Sequence, residues 1–313
     1  MCCRIPRRGR HGGAGGGRPG RLRWHHGGVT HPDDPSAFLR VAAVQAASIP
    51  GDIIANANTA AGLIDRADHA GADVVVFPEL FLPGYHPPTW ESRPALCDLE
   101  VDFHGQVGDR RLDPLRDMAQ RHRLCVLVGA SVRQGPRRHI ATLLVNRFGV
   151  VRDVYHKQHL VAVEKASFTA GDRGTTVVVN GWRLGVGVCY DATFPEHARA
   201  AATDGCHAYV TGGAFNVGGE HRRDLYHAAR ALDNTFYVVF AGGVGGLAPW
   251  TLSGGSAVFD PEGRVLDRAP GKANGLAVAD LEAQRLAEVR RAHTMLSDLR
   301  TDLSVRDTVE VEG

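Results

Sequence analysis

The residue in this chain best placed to act as a nucleophile is Cys189. An apolar run over residues 184–188, which contains Gly185 and Gly187, leads directly into this cysteine, and Pro195 follows six residues later. The pattern predicts a buried strand that ends at the thiol and a helix that begins at Pro195. A helix N-terminus close to a thiol favours the nucleophilic thiolate. A buried cysteine with a purely structural role is the alternative, because free cysteine is often buried.

A second candidate group, Glu79, stands at the end of another apolar run. Residues 74–77 read VVVF, and Pro78, Glu79 and Leu80 follow, so that one carboxylate lies among apolar neighbours. Desolvation raises the pKa of a carboxyl group and makes it a better proton acceptor for a thiol. Glu79 is therefore the predicted general base, and a glutamate at the rim of the fold that faces water is the alternative.

A third segment places Lys157 between two histidines and continues to Glu164, Phe168 and Gly171. An ammonium group near the thiol would stabilise an anionic tetrahedral intermediate and help to hold the thiolate. A solvated lysine in a loop is the ordinary alternative.

Together the three segments resemble the nitrilase superfamily of carbon-nitrogen hydrolases, in which a glutamate, a lysine and a cysteine occur in this order. The letters FPE with GY at residues 77–85, HK with HL at 156–160, and GVCYD with FPE at 187–196 carry the resemblance, which covers roughly residues 38 to 285. It implies that Glu79, Lys157 and Cys189 are catalytic. Glu164 lies where many members have a second glutamate, which implies that it orients Lys157 and the substrate.

The chemistry of these groups can be written without the resemblance. Glu79 takes the proton of Cys189, the thiolate attacks an amide carbonyl carbon, and Lys157 with backbone N–H groups holds the oxyanion. Ammonia or an amine leaves with the proton from Glu79, and water then hydrolyses the thioester with the same carboxylate as base. The sequence therefore predicts hydrolysis of a small, non-peptide amide to a carboxylic acid and ammonia, with no cofactor and no metal.

The residues after the nucleophile indicate the branch of the superfamily. True nitrilases usually have Trp-Glu after the cysteine, whereas the Tyr190-Asp191 pair of this chain resembles the amidase branches. Thr193 stands where many ω-amidase-like members have an arginine, which argues against a dicarboxylic ω-amide. We expect the substrate to contact Tyr85, Tyr190, Phe194, Phe215 and Asn216, with His86 and Trp90 nearby, and ordinary packing is the alternative for each.

Three other functions stay open at the level of sequence. Hydrolysis of an N-carbamoyl amino acid or amine needs the same nucleophile and oxyanion site as hydrolysis of a carboxamide. Acyl transfer would follow if an amine intercepted the thioester in place of water. A non-catalytic binding protein on the same fold is the third alternative, although a thiol, a base and an ammonium group in one pocket argue against it.

The composition is that of a protein with one sizeable core: 313 residues, 43% of them hydrophobic. No apolar run approaches the ~20 residues that cross a bilayer. The six cysteines form no Cys-x-x-Cys pair, so reduced thiols in a cytoplasm are expected. A small-molecule substrate and a homodimer or higher homo-oligomer are the partners that we predict.

The first 36 residues differ in composition from the rest. They contain seven arginines and two aspartates, a charge of +5, which leaves −3 for the remainder of a chain whose total is +2. We expect residues 1–36 to be a disordered Arg/Gly-rich extension because they have few apolar groups to bury. An arm for RNA or another polyanion, or adventitious metal binding through its histidines, are the alternatives. Nucleic acid binding is not expected elsewhere.

Alternating patterns from Phe38 onward predict an α/β protein. Strands are expected at 41–45 and near 74–77, 125–130, 142–146, 176–179, 184–188, 208–211, 237–241 and 255–259. Helices are expected at 56–70 and near 111–122, 195–204 and 221–234. The resemblance implies an α-β-β-α sandwich over residues 37–285, followed by a C-terminal arm, 286–313, which could cross a subunit interface. The segments 84–108 and 132–140 are expected to be loops around the pocket.

Two tempting motifs carry no function on this interpretation. Gly243 and Gly245 follow a strand as in a dinucleotide-binding loop, but Pro249 interrupts the helix that such a loop requires. His156 and His159 have the spacing of zinc ligands, but no third ligand follows at a supporting distance.

Overall fold

The computed structural model describes residues 35–300, 302 and 306–311. The extension predicted over residues 1–36 lies outside the described residues except for its last two positions. Within the described part of the chain, no helix has the length and apolar character needed to cross a membrane.

Fifteen strands are present in the described residues. They are β1 (Phe38–Gln45), β2 (Val74–Val76), β3 (Asp98–Glu100), β4 (Cys125–Gln134), β5 (Arg137–Val145), β6 (Val151–His156), β7 (Thr175–Val179), β8 (Trp182–Val188), β9 (Ala208–Gly213), β10 (Tyr237–Gly242), β11 (Val244–Gly245), β12 (Leu252–Ser253), β13 (Ala257–Phe259), β14 (Val265–Arg268) and β15 (Gly275–Glu282).

Eight α-helices accompany these strands in the same part of the chain. They are α1 (Ile53–His69), α2 (Pro87–Ser92), α3 (Pro94–Cys97), α4 (Asp113–His122), α5 (Ala162–Lys165), α6 (Pro195–Thr203), α7 (Glu220–Asn234) and α8 (Ala283–Ala292).

Two large sheets face each other between layers of helices. The first has the order β15-β1-β2-β4-β5-β6 with β3 beside β4, and the second has the order β14-β13-β10-β9-β8-β7. One apolar core fills the space between the sheets. A second core lies between the first sheet and helices α1 and α4, and a third lies between the second sheet and helices α6 and α7. The predicted α-β-β-α sandwich is confirmed.

Strand β1 shows why this arrangement gives apolar runs instead of strict alternation. Val41 and Ala43 point into the core between the sheets, whereas Ala42 and Val44 point into the core beneath the helices. Because both faces are covered, the consecutive residues from Val41 to Val44 are all apolar.

The predicted elements lie where the structure has strands and helices, with corrections to two loop segments and to the strands that were not predicted. Residues 132–140 are not a pocket loop but the ends of the β4–β5 hairpin, which pairs up to Gln134 and Arg137. The segment 84–108 contains α2, α3 and β3 instead of being irregular throughout. The sequence patterns also did not predict β15, which pairs antiparallel with β1, or strands β6, β11, β12 and β14.

The predicted boundary at residues 285 and 286 falls inside a helix. Helix α8 runs from Ala283 to Ala292, and its residues Leu286 and Val289 are buried, with Leu286 in the core between the sheets. This apolar face, at a spacing of three residues, attaches the first part of the predicted arm to the hydrolase fold. A free arm can therefore begin only after Ala292.

Candidate active site

Glu79 follows strand β2 in a tight turn that both sheets enclose. Leu80 adopts the left-handed region at φ 46°, which is costly for a residue with a side chain. A Cβ on Gly129 of β4 would lie 2.2 Å from one carbonyl oxygen of the turn, and a Cβ on Gly212 of β9 would lie 2.6 Å from another. Glycine is thus required in both sheets for the Glu79 turn to fit between them.

Cys189 is held on an equally tight turn at the end of strand β8. Its φ is 46°, and a short 3₁₀ turn, Cys189–Thr193, leads into helix α6, which begins at Pro195 as predicted. A left-handed conformation in a non-glycine residue costs on the order of 1–3 kcal/mol and persists only where the surroundings impose it.

Lys157 follows strand β6 at the same edge of the site, and its backbone N–H donates to the carbonyl of Ile140 at 2.8 Å. The buried ammonium Nζ donates to Glu79 Oε1 at 2.6 Å and to Glu164 Oε1 and Oε2 at 2.7 and 2.8 Å. Three carboxylate oxygens thus match the three protons that an ammonium group can donate. The structure therefore brings three of the four predicted catalytic side chains into direct contact.

The position of Glu164 is fixed from two further directions. It lies in the short helix α5, where Oε2 also accepts from the backbone N–H of Val161 at 3.0 Å. The hydroxyl of Tyr85 donates to Oε1 at 3.1 Å. Tyr85, predicted to contact substrate, therefore lies beside the catalytic carboxylates.

Burial sets the protonation of the carboxylate and the ammonium. It raises the pKa of Glu79 to about 7, against the opposing effect of the Lys157 charge. Glu79 Oε2 has no hydrogen-bond partner among the described residues, whereas Oε1 is occupied by Lys157. Burial alone would lower the pKa of Lys157, but the charges of Glu79, Cys189 and Glu164 outweigh it and raise that pKa. Lys157 is therefore charged, and Glu79 can exchange a proton near neutral pH.

Burial also influences the protonation of Cys189. The residue keeps some exposure, but burial of its thiol, together with the charge of Glu79, raises its pKa well above the ordinary value. Lys157 and a backbone hydrogen bond from Ala214 oppose this shift without reversing it. The raised pKa favours the thiol over the thiolate, so a base is needed to form the nucleophile.

Two groups of aromatic side chains surround these residues. Tyr85 packs edge-on against Trp90 at 5.2 Å between ring centroids and lies 6.4 Å from Trp250. On the nucleophile side, Phe194 stacks on His159 at 3.9 Å and meets Tyr190 edge-on at 4.9 Å. Tyr85, Tyr190 and Phe194, which are predicted to contact the substrate, thus belong to two aromatic clusters, and the substrate contacts themselves stay predictions.

The other predicted pocket residues occupy different surroundings. Phe215 comes directly after Ala214 and packs on His227 of helix α7 and on Phe240 of strand β10. Asn216 is exposed and bridges to Leu252 through its backbone. His86 hydrogen-bonds through Nδ1 to Thr89 at 2.8 Å. Phe215 and Asn216 follow Ala214, whose backbone forms a hydrogen bond with Cys189.

Sequence reasoning gave no role to Asp191 or Trp250. Asp191 is fully buried two residues after the nucleophile, and its carboxylate bonds to His159 and Tyr155. The sequence signal that could have identified Asp191 is that it is the single acidic residue in the turn 189–193, which begins at the nucleophile. His156 bonds instead to Asp153 at 2.6 Å, so the two histidines with zinc-like spacing belong to separate networks.

Comparison with known proteins agrees with this geometry. The sequence model of the family described as carbon-nitrogen hydrolase matches residues 40–291. An (R)-stereoselective amidase from Pseudomonas sp. is 34% identical over 279 residues, which cover 88% of this chain and 96% of the relative. An ω-amidase from Saccharomyces cerevisiae is 27% identical, with coverage of 86% and 95%.

Solved structures show the same relationship. A cysteine-to-alanine mutant of the amidase from Nesterenkonia sp. in complex with butyramide superimposes with a TM-score of 0.69 at 28% identity. The match covers 83% of this chain and 97% of that one. The chain therefore belongs to the carbon-nitrogen hydrolase family, among its amidase-like members.

Proposed function

We propose that this protein hydrolyses small linear carboxamides to a carboxylic acid and ammonia, with Cys189 as nucleophile, Glu79 as general base and acid, and Lys157 as electrophile. One observation carries the proposal. The carboxylate of Glu79 has a pKa of about 7 and uses one oxygen to bind Lys157, its other oxygen makes no hydrogen bond of ordinary length among the described residues, and the thiol of Cys189 is close enough to lower this pKa. That second oxygen is available to accept the proton of the Cys189 thiol, whose pKa burial raises.

The acylation half of the reaction begins with transfer of the thiol proton from Cys189 to Glu79 Oε2. The sulfur attacks the carbonyl carbon, a carbon–sulfur bond forms, and the carbonyl oxygen becomes an oxyanion. The oxyanion then reforms the carbonyl, the carbon–nitrogen bond breaks, and Glu79 returns the proton to the departing amine. A thioester on Cys189 and free ammonia result.

The deacylation half uses the same groups with water. Glu79, again ionised, takes a proton from a water molecule, which attacks the thioester carbonyl. The carbon–sulfur bond breaks, the carboxylic acid leaves, and the proton on Glu79 returns to the sulfur. The raised pKa suits this alternation because proton uptake and release both occur near neutral pH.

Lys157 needs a small rearrangement before it can contact the oxyanion. Its three protons face carboxylate oxygens in the free protein, and two of those oxygens belong to Glu164. Loss of one Glu164 contact would free a donor without leaving either carboxylate unpaired. Backbone N–H groups at the start of the turn 189–193 supply the other donors, as first-turn N–H groups have no partner within the turn.

The charges around the site favour neutral substrates. Glu79 and Glu164 together outnumber the single ammonium of Lys157 whenever both carboxylates are ionised. Arg230, which donates to the carbonyl of Thr193, is buried and pairs with Asp233 at 3.0 Å. This guanidinium is therefore already bound to protein groups and is not free for a substrate carboxylate. The relative from Nesterenkonia was solved with butyramide, a neutral amide.

The test is ammonia release from a panel of amides, with the Cys189→Ala variant as control. The panel contains butyramide, an ω-amide of a dicarboxylic acid, an N-carbamoyl amino acid and a nitrile. We expect release from butyramide that is lost in the variant, and a lower kcat/KM for the ω-amide. Carbon dioxide released along with ammonia from the carbamoyl compound would instead identify a carbamoylase. Normal turnover by folded Cys189→Ala would refute the assignment of the nucleophile.

A homo-oligomeric state and a cytoplasmic location stay predictions from the sequence. Within the described chain, the cysteines at 97, 125, 189 and 206 are free thiols, as that location requires. Light scattering of the purified protein at several concentrations would measure the oligomeric state directly.

A further inference from the structure

We propose that Asp191 is a positioning residue that fixes Cys189 relative to Lys157, and that Tyr155, His197 and Tyr209 hold Asp191 through a single tautomer of His197. The inference rests on the proposed roles of Cys189 and Lys157. It concerns a hydrogen-bonded network that joins the turn carrying the nucleophile to the segment carrying Lys157.

Asp191 joins the two chain segments that carry the nucleophile and the lysine. Its Oδ2 accepts from the backbone N–H of Val188 at 3.0 Å, directly before Cys189. Its Oδ1 accepts from both the backbone N–H and the ring Nδ1 of His159, at 2.9 and 2.8 Å, two residues after Lys157. The carboxylate is fully buried, and these hydrogen bonds outweigh its desolvation and lower its pKa. An ionised side chain therefore bridges the nucleophile turn and the Lys157 segment.

Tyr155 provides a further bond to the same carboxylate. Its hydroxyl donates to Asp191 Oδ2 at 2.7 Å and lies 2.8 Å from His197 Nε2. A hydroxyl has one proton, which Tyr155 uses on the carboxylate. His197 Nε2 must therefore carry a proton and donate it to the Tyr155 oxygen.

The other side of His197 completes the order of donors. Its Nδ1 lies 2.7 Å from the Tyr209 hydroxyl and, in the neutral ring, accepts the proton of that hydroxyl. Burial lowers the pKa of His197, which favours the neutral ring. The groups that face it are the carboxylate of Asp191, the ring of His159 at 5.8 Å, and the hydroxyls of Tyr155 and Tyr209. The order of donation is thus Tyr209 to His197 to Tyr155 to Asp191.

Tyr209 also contacts the nucleophile strand directly. A Cβ on Gly187 would lie 2.1 Å from the Tyr209 hydroxyl, so the hydroxyl occupies the space in front of this glycine. Gly187 precedes Cys189 by two residues. Tyr209 thus contacts the strand before the thiol, and Asp191 lies in the turn after it. Contacts on both sides of Cys189 can maintain its left-handed φ.

The first test is Tyr155→Phe, with Tyr237→Phe as the matched control. Tyr237 is buried in the second sheet, and its hydroxyl bonds only to the backbone of Glu282 among the described residues. Displacement of reacting groups by about 1 Å can cost on the order of 10² in rate. We expect Tyr155→Phe to lower kcat by about 10- to 100-fold with KM changed less than about threefold, whereas Tyr237→Phe leaves both unchanged. Equal kcat in both variants would overturn the proposal.

A second pair of variants tests the tautomer. The amide nitrogen of glutamine can occupy the place of a histidine Nε2 and donate to Tyr155, whereas asparagine reaches only the place of Nδ1. His197→Gln should therefore keep most of the kcat, and His197→Asn should lose about as much as Tyr155→Phe. Equal losses in two folded variants would contradict a directed network.

Alkylation of Cys189 by iodoacetamide separates this inference from the proposed function. If Cys189→Ala remains active, the proposed mechanism fails, whatever the network does. If Cys189→Ala is inactive but Tyr155→Phe alkylates and turns over like the unmodified protein, the mechanism stands and the positioning role is wrong. We expect slower alkylation in Tyr155→Phe, with normal binding of butyramide.

Discussion

The Glu79→Gln variant tests the central step of the proposed reaction. The amide oxygen can still accept from Lys157, so the change mainly removes the proton acceptor at Oε2. The fold should persist because the two side chains are nearly equal in size. We therefore expect a folded protein that cannot generate its nucleophile.

The size of the loss follows from the protonation of Cys189. At an ordinary pKa of 9.0, about one thiol in a hundred is ionised at pH 7, and burial raises the pKa of this thiol further. Without a base, acylation should therefore slow by at least about 10²-fold. General-base catalysis contributes about 10²–10⁴-fold in enzymes, so the expected fall in kcat lies in that range.

The assay is steady-state ammonia release from butyramide near pH 7.5, combined with the rate of iodoacetamide alkylation of Cys189. Glu100→Gln is the matched control, since that carboxylate is 75% exposed and lies outside the site. Both rates should fall in Glu79→Gln and stay normal in Glu100→Gln. A folded Glu79→Gln protein that keeps more than about a tenth of the kcat would refute the role of Glu79 as base.

Three other perturbations follow from the same geometry. In a profile from pH 5 to 9, kcat/KM should fall below about pH 7 as Glu79 becomes protonated. The negative charge of Glu164 raises the pKa of Glu79, so Glu164→Gln should move this fall to lower pH. Lys157→Met should lower the free energy of unfolding by about 3–5 kcal/mol in denaturant titrations, because it leaves two buried carboxylates without their cation. A loss below about 1 kcal/mol, which is what a surface salt bridge contributes, would contradict this. Gly212→Ala should cost about 1–3 kcal/mol and lower kcat, whereas Gly62→Ala, with open space around its Cβ position in helix α1, should stabilise by about 0.5–1 kcal/mol.

The local parts of the fold and site were predictable because short patterns determine them. The apolar runs at residues 74–77 and 184–188 coincide with strands β2 and β8, and Pro195 begins helix α6. The same runs point to Glu79 and Cys189 as groups at strand ends. Desolvation of Glu79 also follows from its apolar neighbours, and its raised pKa agrees with that expectation.

What the sequence could not provide depends on contacts between distant segments. Strand β15 pairs with β1 at sequence separations of 230 to 244 residues, from Gln45 opposite Gly275 to Phe38 opposite Glu282, and no local pattern specifies such a partner. The raised pKa of Cys189 depends on distant contacts in the same way. A helix N-terminus can be recognised from nearby residues, whereas desolvation depends on everything that packs around the sulfur.

The enclosure of the Glu79 turn between Gly129 and Gly212 has a consequence for protein engineering. These glycines belong to opposite sheets, so the separation of the sheets determines where the base stands. Larger side chains in the core between the sheets could raise the melting temperature and still displace the base by a fraction of an ångström. A selection for heat resistance alone would then enrich robust proteins with poor turnover. Directed evolution of this enzyme should therefore score each variant for activity and thermal tolerance together, and diversify the aromatic clusters before the sheets.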